Sequence, residues 1–195
     1  MDHVGGLANL IWTIRKLITR GAKAPKRKIG VHISDLKTWE GICKILYGRY
    51  DCDAYPCKED INLSQVKDGD IYKDENISVF AAHNGHMEKK ETDIKLSFSF
   101  EINCEDKRIV YSGDIKGLSD LDELLEKKCD YLFIESGHQT VEEICAYVNT
   151  KQVGTVVFLH HRRDVMEDMT KARMVAQKMA ECKIYFAEDG DKIII

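Results

Sequence analysis

Apolar residues recur early in the chain at Leu7, Leu10, Ile11, Ile14, Leu17 and Ile18. That spacing lines one stripe of a 3.6-residue helix and predicts an amphipathic helix ending near Gly21. Ala22 to Lys28 is basic with one proline, the composition of a surface connection. Ile29 to Ile33 reads as a strand. Ser34 is placed to cap a second helix with the apolar face Leu36, Trp39, Ile42, Cys43, Leu46 and Tyr47. Residues 48–76 show little periodicity and many Asp, Lys and Gly, and read as loop.

The pattern then changes period. Ile77 to Ala82 is a short apolar strand running into His83. Ile94, Leu96, Phe98, Phe100 and Ile102 alternate with polar residues, so this strand buries one face only. Asn103 to Lys107 is turn material leading to a third strand, Arg108 to Tyr111, and an antiparallel hairpin follows from that order. Ser119-x-x-Asp122 and Thr140-x-x-Glu143 have the form of capping boxes. Between them Tyr131 to Ile134 reads as a strand. Thr155 to Leu159 is a β-branched strand ending at His160, followed by a helix whose Met166, Met169 and Met179 read as core. Lys183 to Phe186 and Lys192 to Ile195 predict two closing strands. The alternation gives an α/β class, a sheet covered by helices.

Composition narrows the picture. A chain of 195 residues is long enough to bury one core without staples. A net charge of −4 gives no indication of a nucleic-acid surface. No stretch is apolar enough to span a membrane. Of the seven cysteines, Cys43, Cys104, Cys129, Cys145 and Cys182 lie in apolar patterns and read as buried thiols of a reducing, cytoplasmic setting. Cys52 and Cys57 are four residues apart in a loop with no second pair, a poor match to a metal site.

The chemistry gathers at strand ends. Arg108 to Asp114 reads as a strand delivered through Ser112 and Gly113 into a turn that presents the carboxylate of Asp114. His83 and His160 also terminate strands, and Asp2-His3 precedes the first helix. Imidazole and carboxylate are the donors that hold zinc or iron. Strands of one sheet bring such ends together, so ligands scattered along a chain can meet. His86 is the competitor of His83, because it lies only three residues further on. His138, in Glu135-Ser136-Gly137-His138, follows a strand and suits substrate contact or proton transfer as well as a solvated loop. His161 reads as a supporting or surface residue, His32 as a satisfied strand residue, and Asp164 as a helix cap.

Asp2-His3-Val4-Gly5-Gly6-Leu7 resembles the second half of the His-x-His-x-Asp-His-x-x-Gly-Gly signature of the metallo-β-lactamase superfamily. The later features follow in that family's order: a strand-end histidine, Ser112-Gly113-Asp114, then a strand ending in His160. Ala187 to Ile193 is similar to its final turn and strand. The resemblance implies an αβ/βα sandwich around two metals, zinc first, with manganese or iron as alternatives. It implies that Asp2, His3 and His160 hold one metal, that Asp114 bridges, and that His83 serves the other. The catalytic pair would be Asp114 and His138, with His86 and His138 touching substrate. The His-x-His pair and the first strands would stand before Met1, so the expectation is a single domain over 1–195, incomplete at its N-terminus and able to keep at most one tightly held metal. The implied function is a hydrolase in which metal-bound water attacks a phosphodiester or related ester. Ser-Gly before the bridging carboxylate places it nearer the ribonuclease Z and phosphodiesterase branch than the antibiotic-hydrolysing one. The alternative is a catalytically impaired fragment or metal-binding remnant that needs a partner or upstream segment. A small-molecule or phosphodiester substrate, with self-association at strand edges left unpaired, completes the expectation.

Overall fold

The structure is a computed structural model that describes residues 4–21, 29–47, 61–87 and 95–195. The chain divides into two compact units, Met1–Val66 and Lys67–Ile195. In the first, helix α1 spans Gly5–Thr19 and α2 spans Leu36–Tyr47. Strands β1 (Ile29–Ile33) and β2 (Ile61–Gln65) pair in parallel, from Ile29 against Ile61 to Ile33 against Gln65. Their small core is Ile11, Val31, Ile33, Trp39, Ile42 and Cys43. Only Ile11 of the predicted α1 stripe is fully buried; Leu10 and Leu17 are exposed. The cap at the start of α2 comes from Asp35, whose carboxylate accepts from the Lys37 N–H, and not from Ser34. His32 is satisfied across the strand pair by Ser64, 2.9 Å away.

The second unit is built on a seven-stranded sheet. Its strands, in spatial as well as chain order, are β3 (Gly69–Lys73), β4 (Ile77–His83), β5 (Phe98–Cys104), β6 (Lys107–Tyr111), β7 (Cys129–Ser136), β8 (Val153–His161) and β9 (Lys183–Phe186). Pairing is antiparallel from β3 to β6 and parallel from β6 to β9. The hairpin expected around Asn103–Lys107 is therefore present. Helices α3 (Val141–Val148), α4 (Arg163–Glu167) and α5 (Met169–Met179) contribute to its core.

Register explains which residues are dry. Val110, Leu132, Val156 and Ile184 lie opposite one another across β6, β7, β8 and β9. They point to the same face, because side chains alternate along a strand. The first three are wholly buried, and they join Ile144, Cys145 and Ala176 in the main core. Each buried aliphatic side chain of this kind contributes roughly 1.5–3 kcal/mol.

Several expected elements differ. Residues 48–76 contain β2 and β3, two strands too short and too polar to show a clear period. The helix after His160 is two helices, interrupted at Asp168, whose carboxylate accepts from Lys171 N–H and caps the second. Of the methionine stripe, Met169 packs against the main core, whereas Met166 and Met179 are exposed. Asp164 sits in the first turn of α4, paired with Arg162, and does not cap it. Ser119 opens no α-helix; a 3-10 turn, Leu118–Leu121, stands there instead. Lys192–Ile195 forms no strand. Thr140 and Glu143 do form the reciprocal cap of α3. Cys104, Cys129, Cys145 and Cys182 are free thiols, whereas Cys43 is disulfide-bonded. Cys52 and Cys57 lie outside the described residues.

One ion pair pins the middle of the sheet. Arg108 reaches Glu101 on the neighbouring strand at 2.5 Å and also donates to the carbonyls of Leu124, Lys127 and Lys128. Burial works to raise the Glu101 carboxyl, but the Arg108 hydrogen bond, helped by Asn103 and by the Arg108 charge, leaves it below its ordinary value. A folded carboxyl held low stabilises the protein above its unfolded pKa, and that contribution disappears as pH falls through the folded value. The stability difference between wild type and Arg108→Met in urea titrations should therefore be largest near neutrality and shrink as pH drops below about 4. A difference independent of pH would show that the charge on Glu101 is irrelevant.

The sheet's polarity also fixes where chemistry can occur. Strand β4 runs parallel to β6, since each is antiparallel to β5. The C-terminal ends of β4, β6, β7 and β8 thus share one edge. Gly113 starts the turn at the end of β6 with φ of +57°, and a Cβ there would lie 2.7 Å from the Phe98 carbonyl oxygen. Both the left-handed backbone and the contact exclude a side chain. Gly113→Ala should cost about 1–3 kcal/mol in chemical denaturation, whereas Gly41→Ala, with open space around it in α2, should not destabilise.

Candidate metal centre

Four side chains meet at that shared edge. Asp114 follows β6, His86 follows β4, His138 follows β7, and His160 is part of β8 near its end. The His160 Nδ1 lies 3.0 Å from Asp114 Oδ1, and the His86 Nε2 lies 3.8 Å from Asp114 Oδ2. The imidazole of His138 stands between the other two histidines, its ring centre 4.7 Å from that of His86 and 5.7 Å from that of His160. Single donor atoms of His86, Asp114 and His138 lie within 4.8 Å of one another, and so do those of Glu135, His138 and His160.

Each of these side chains is held by a specific local device. His160 arrives through an irregularity in β8: Glu135 pairs with Leu159, but Ser136 pairs with His161, leaving His160 as an extra residue. Its φ is +43°, an unusual conformation for a non-glycine residue. A bulge of this kind re-aims a side chain, and here it sends the imidazole to Asp114. Gly137 makes room for it, since a Cβ at that position would come within 3.1 Å of His160 Nδ1 and Cε1. The same shift puts His161 beside Ser136 Oγ at 2.9 Å, with its Nε2 donating to the Ala187 carbonyl. His161 is a packing residue with both nitrogens engaged.

His138 is fixed from behind by Glu135, which is only 3% exposed. The Glu135 carboxylate accepts from the backbone N–H groups of Ile115, Gly137 and His138, and from His138 Nδ1 at 2.8 Å. A carboxylate only accepts, so Nδ1 carries the proton and Nε2 is the nitrogen turned to other work. Glu135 was not singled out from the sequence. Its signal was a lone acid directly after the apolar run Tyr131 to Ile134 and three residues before a histidine.

Behind His86 lies a second buried polar set. Asn84 donates to Ser99 Oγ, Ser99 donates to the Ser112 carbonyl, and Ser112 Oγ accepts from Glu135 N–H. Asn84 Oδ1 also accepts from the backbone of His86. Asp120 accepts from Gly85, Lys116 and Gly117, which ties the loop before His86 to the loop after Asp114. The buried members of this set have partners, as buried polar groups must.

The expected and observed sites overlap in part. Asp114, His138, His160 and His86 come together. His83, preferred over His86 as a ligand, instead turns to Asp68, whose carboxylate takes both its Nδ1 and its backbone N–H at 2.8 and 2.6 Å. It is His86 that faces Asp114. The reason is the turn at Asn84 and Gly85, which swings the chain so that the later histidine points inward. Asp2 and His3 lie outside the described residues.

The two overlapping triads, His86–Asp114–His138 and Glu135–His138–His160, combine imidazole and carboxylate, the donor types of a zinc or iron site. The buried carboxylate behind His138 is the kind of support that metal-ligating histidines have. The residues present therefore fit a metal. Replacing Glu135 by Gln keeps the volume but leaves an amide N–H₂ among backbone N–H groups that can only donate. This variant should lose about 1–3 kcal/mol of stability in denaturant titration; an unchanged midpoint would mean that Glu135 does not organise these loops.

No family model and no curated protein matches the sequence. Solved structures do match. The metallo-beta-lactamase fold protein YhfI from Bacillus subtilis superposes with a TM-score of 0.69 at 11% identity, over 97% of this chain and 72% of that one. Unliganded yeast PDE1 gives 0.66 at 14% identity, over 97% of this chain and 64% of the yeast chain. The short form of human tRNase Z gives 0.57 at 18%, over 94% and 71%. At such identities the likeness is one of fold.

Proposed function

We propose that this chain, whose fold is that of the metallo-β-lactamases, is a metal-dependent hydrolase acting on phosphodiester or related ester bonds. The observation that carries the reading is the convergence of His86, Asp114, His138 and His160 at one sheet edge. Two of the similar structures bear the names tRNase Z and PDE1, which supports a phosphodiester as the substrate class. When bound, a zinc-type ion supplies Lewis acidity and lowers the pKa of water. The cluster offers the groups to hold it, and by the resemblance Asp2 and His3 would add to them.

The chain's own residues do the rest. Asp114 is 13% exposed and presents two oxygens to two different histidines. It can fix ligand geometry and orient an attacking water at the same time. Glu135 holds the His138 ring rigidly, so a substrate entering over the exposed side of His138 and His160 meets pre-set donors rather than mobile ones. No helix among the described residues is long and apolar enough to cross a membrane.

Purified protein supplied with zinc or manganese should hydrolyse bis(p-nitrophenyl) phosphate, and Asp114→Ala should lower kcat/KM at least about 100-fold, the scale of losing a centre's key group. Folded protein that is inactive with both metals would favour the impaired-fragment reading instead.

A further inference from the structure

We infer that helix α1 is a docking surface for an anionic lipid bilayer. It lies flat on the membrane through Leu10, Leu17 and Trp12, with Lys16 and Arg20 held against the headgroups. The inference goes beyond the hydrolase reading and does not rest on it.

The outward face of α1 is unusual for a solvated helix. Leu10 and Leu17 are 55% and 53% exposed, and Trp12 is 39% exposed. Ile11, by contrast, belongs to the core of the first unit. Leu10 and Leu17 stand two turns apart on nearly the same side of the helix, about 10 Å from each other along its axis. A single exposed leucine is ordinary. Two in line, on a helix that also exposes a tryptophan, form the apolar side that interfacial helices present to lipid.

The charge of this region is equally one-sided. No Asp or Glu occurs between His3 and Ser34, whereas seven Lys or Arg do, in a chain whose net charge is −4. Lys16 and Arg20 are the exposed cations in the last turn of α1 and at its C-terminal cap. The helix dipole accounts for cations at that end, but it favours acids in the first turn just as much, and α1 has none there. An anionic partner accounts for both observations. The Trp12 ring has Lys16 Nζ 4.9 Å and Arg15 Cζ 5.2 Å from its centre. Tryptophan beside cations is the combination that sits at the level of lipid headgroups.

The leucines decide between the anionic partners. Nucleic-acid phosphates are held by basic and polar groups, and unpaired bases by aromatic stacking. Two exposed aliphatic side chains gain little from either contact. A bilayer uses the whole face, since leucines enter the acyl boundary while cations stay with the headgroup phosphates. With 15 residues α1 is about 22 Å long, short of the roughly 30 Å hydrocarbon core. It therefore rests on the surface and does not cross it.

The test is co-sedimentation of the full chain with unilamellar phosphatidylcholine vesicles, with and without about 30% phosphatidylserine. Binding should require the anionic lipid and should weaken at least fivefold when salt rises from about 0.1 to about 0.5 M. Trp12 emission should move to the blue on binding, and Trp39, only 8% exposed, should contribute little to that change. Lys16→Gln/Arg20→Gln should lower the affinity at least tenfold, since each surface cation is worth about fivefold. Leu10→Gln/Leu17→Gln should lower it at least fivefold and abolish the blue shift, with unchanged helix content by circular dichroism. Should that variant not fold, the cation variant and the wild-type lipid and salt dependence carry the test. No binding, equal binding to neutral and anionic vesicles, or binding that neither variant weakens would overturn the inference. So would capture of a single-stranded oligonucleotide in place of vesicles, which would assign the face to nucleic acid.

Discussion

The Glu135 carboxylate is the constraint on which the site depends. It lies one residue before the end of β7, in a largely buried strand, yet carries a group that water would otherwise solvate. Four N–H donors replace that water: three from the backbone and one from His138. Because Ile115 belongs to the loop after β6 and the others to the loop after β7, one side chain sets the spacing between Asp114 and His138. Leaving any of these donors unpaired in a dry environment costs about as much as a lost hydrogen bond or more. The loops are thus held by the penalty for misplacing them.

The rest of the edge repeats this logic with neutral groups. Asn84, Ser99 and Ser112 pass hydrogen bonds from β4 to β6, while Asp120 clasps the loops before His86 and after Asp114. Polar residues this deep would destabilise a sheet if unmatched; matched, they make its end rigid. Rigidity matters because a metal tolerates errors of only a few tenths of an ångström in its ligands. A flat apolar row beneath, Val110 to Ile184, supplies the burial that offsets the polar end.

Strain sits at the same place. His160 is an extra residue in β8 with a left-handed backbone, and Gly137 and Gly113 accept contacts that a side chain would forbid. Unfavourable backbone conformations persist where surrounding structure over-determines them, and they gather at working sites. Here the surrounding structure is a seven-stranded sheet anchored by a continuous core, which gives the bulge no cheaper alternative.

Much was legible in the order of residues. The strand from Phe98, the apolar runs at 131–134 and 155–159, and the Thr140/Glu143 cap each depend on neighbours a few positions apart, and the structure contains all of them, although Ser99, on the polar side of the alternation, is wholly buried. Asp114 and the strand-end histidines were legible too, because residue type and position after an apolar run are local facts. What required the fold was every choice between near neighbours. His86 rather than His83 faces Asp114 because of hydrogen bonds to Asn84 and Asp120, the latter 34 residues away from His86. Glu135 became central only when β6 and β7 were laid side by side. The bulge that turns His160 toward Asp114 exists only in the pairing of β8 with β7. Local patterns encode which element forms, since propensity and period act over a few residues; which side of an element a group presents, and to whom, is settled by register between strands far apart in the chain.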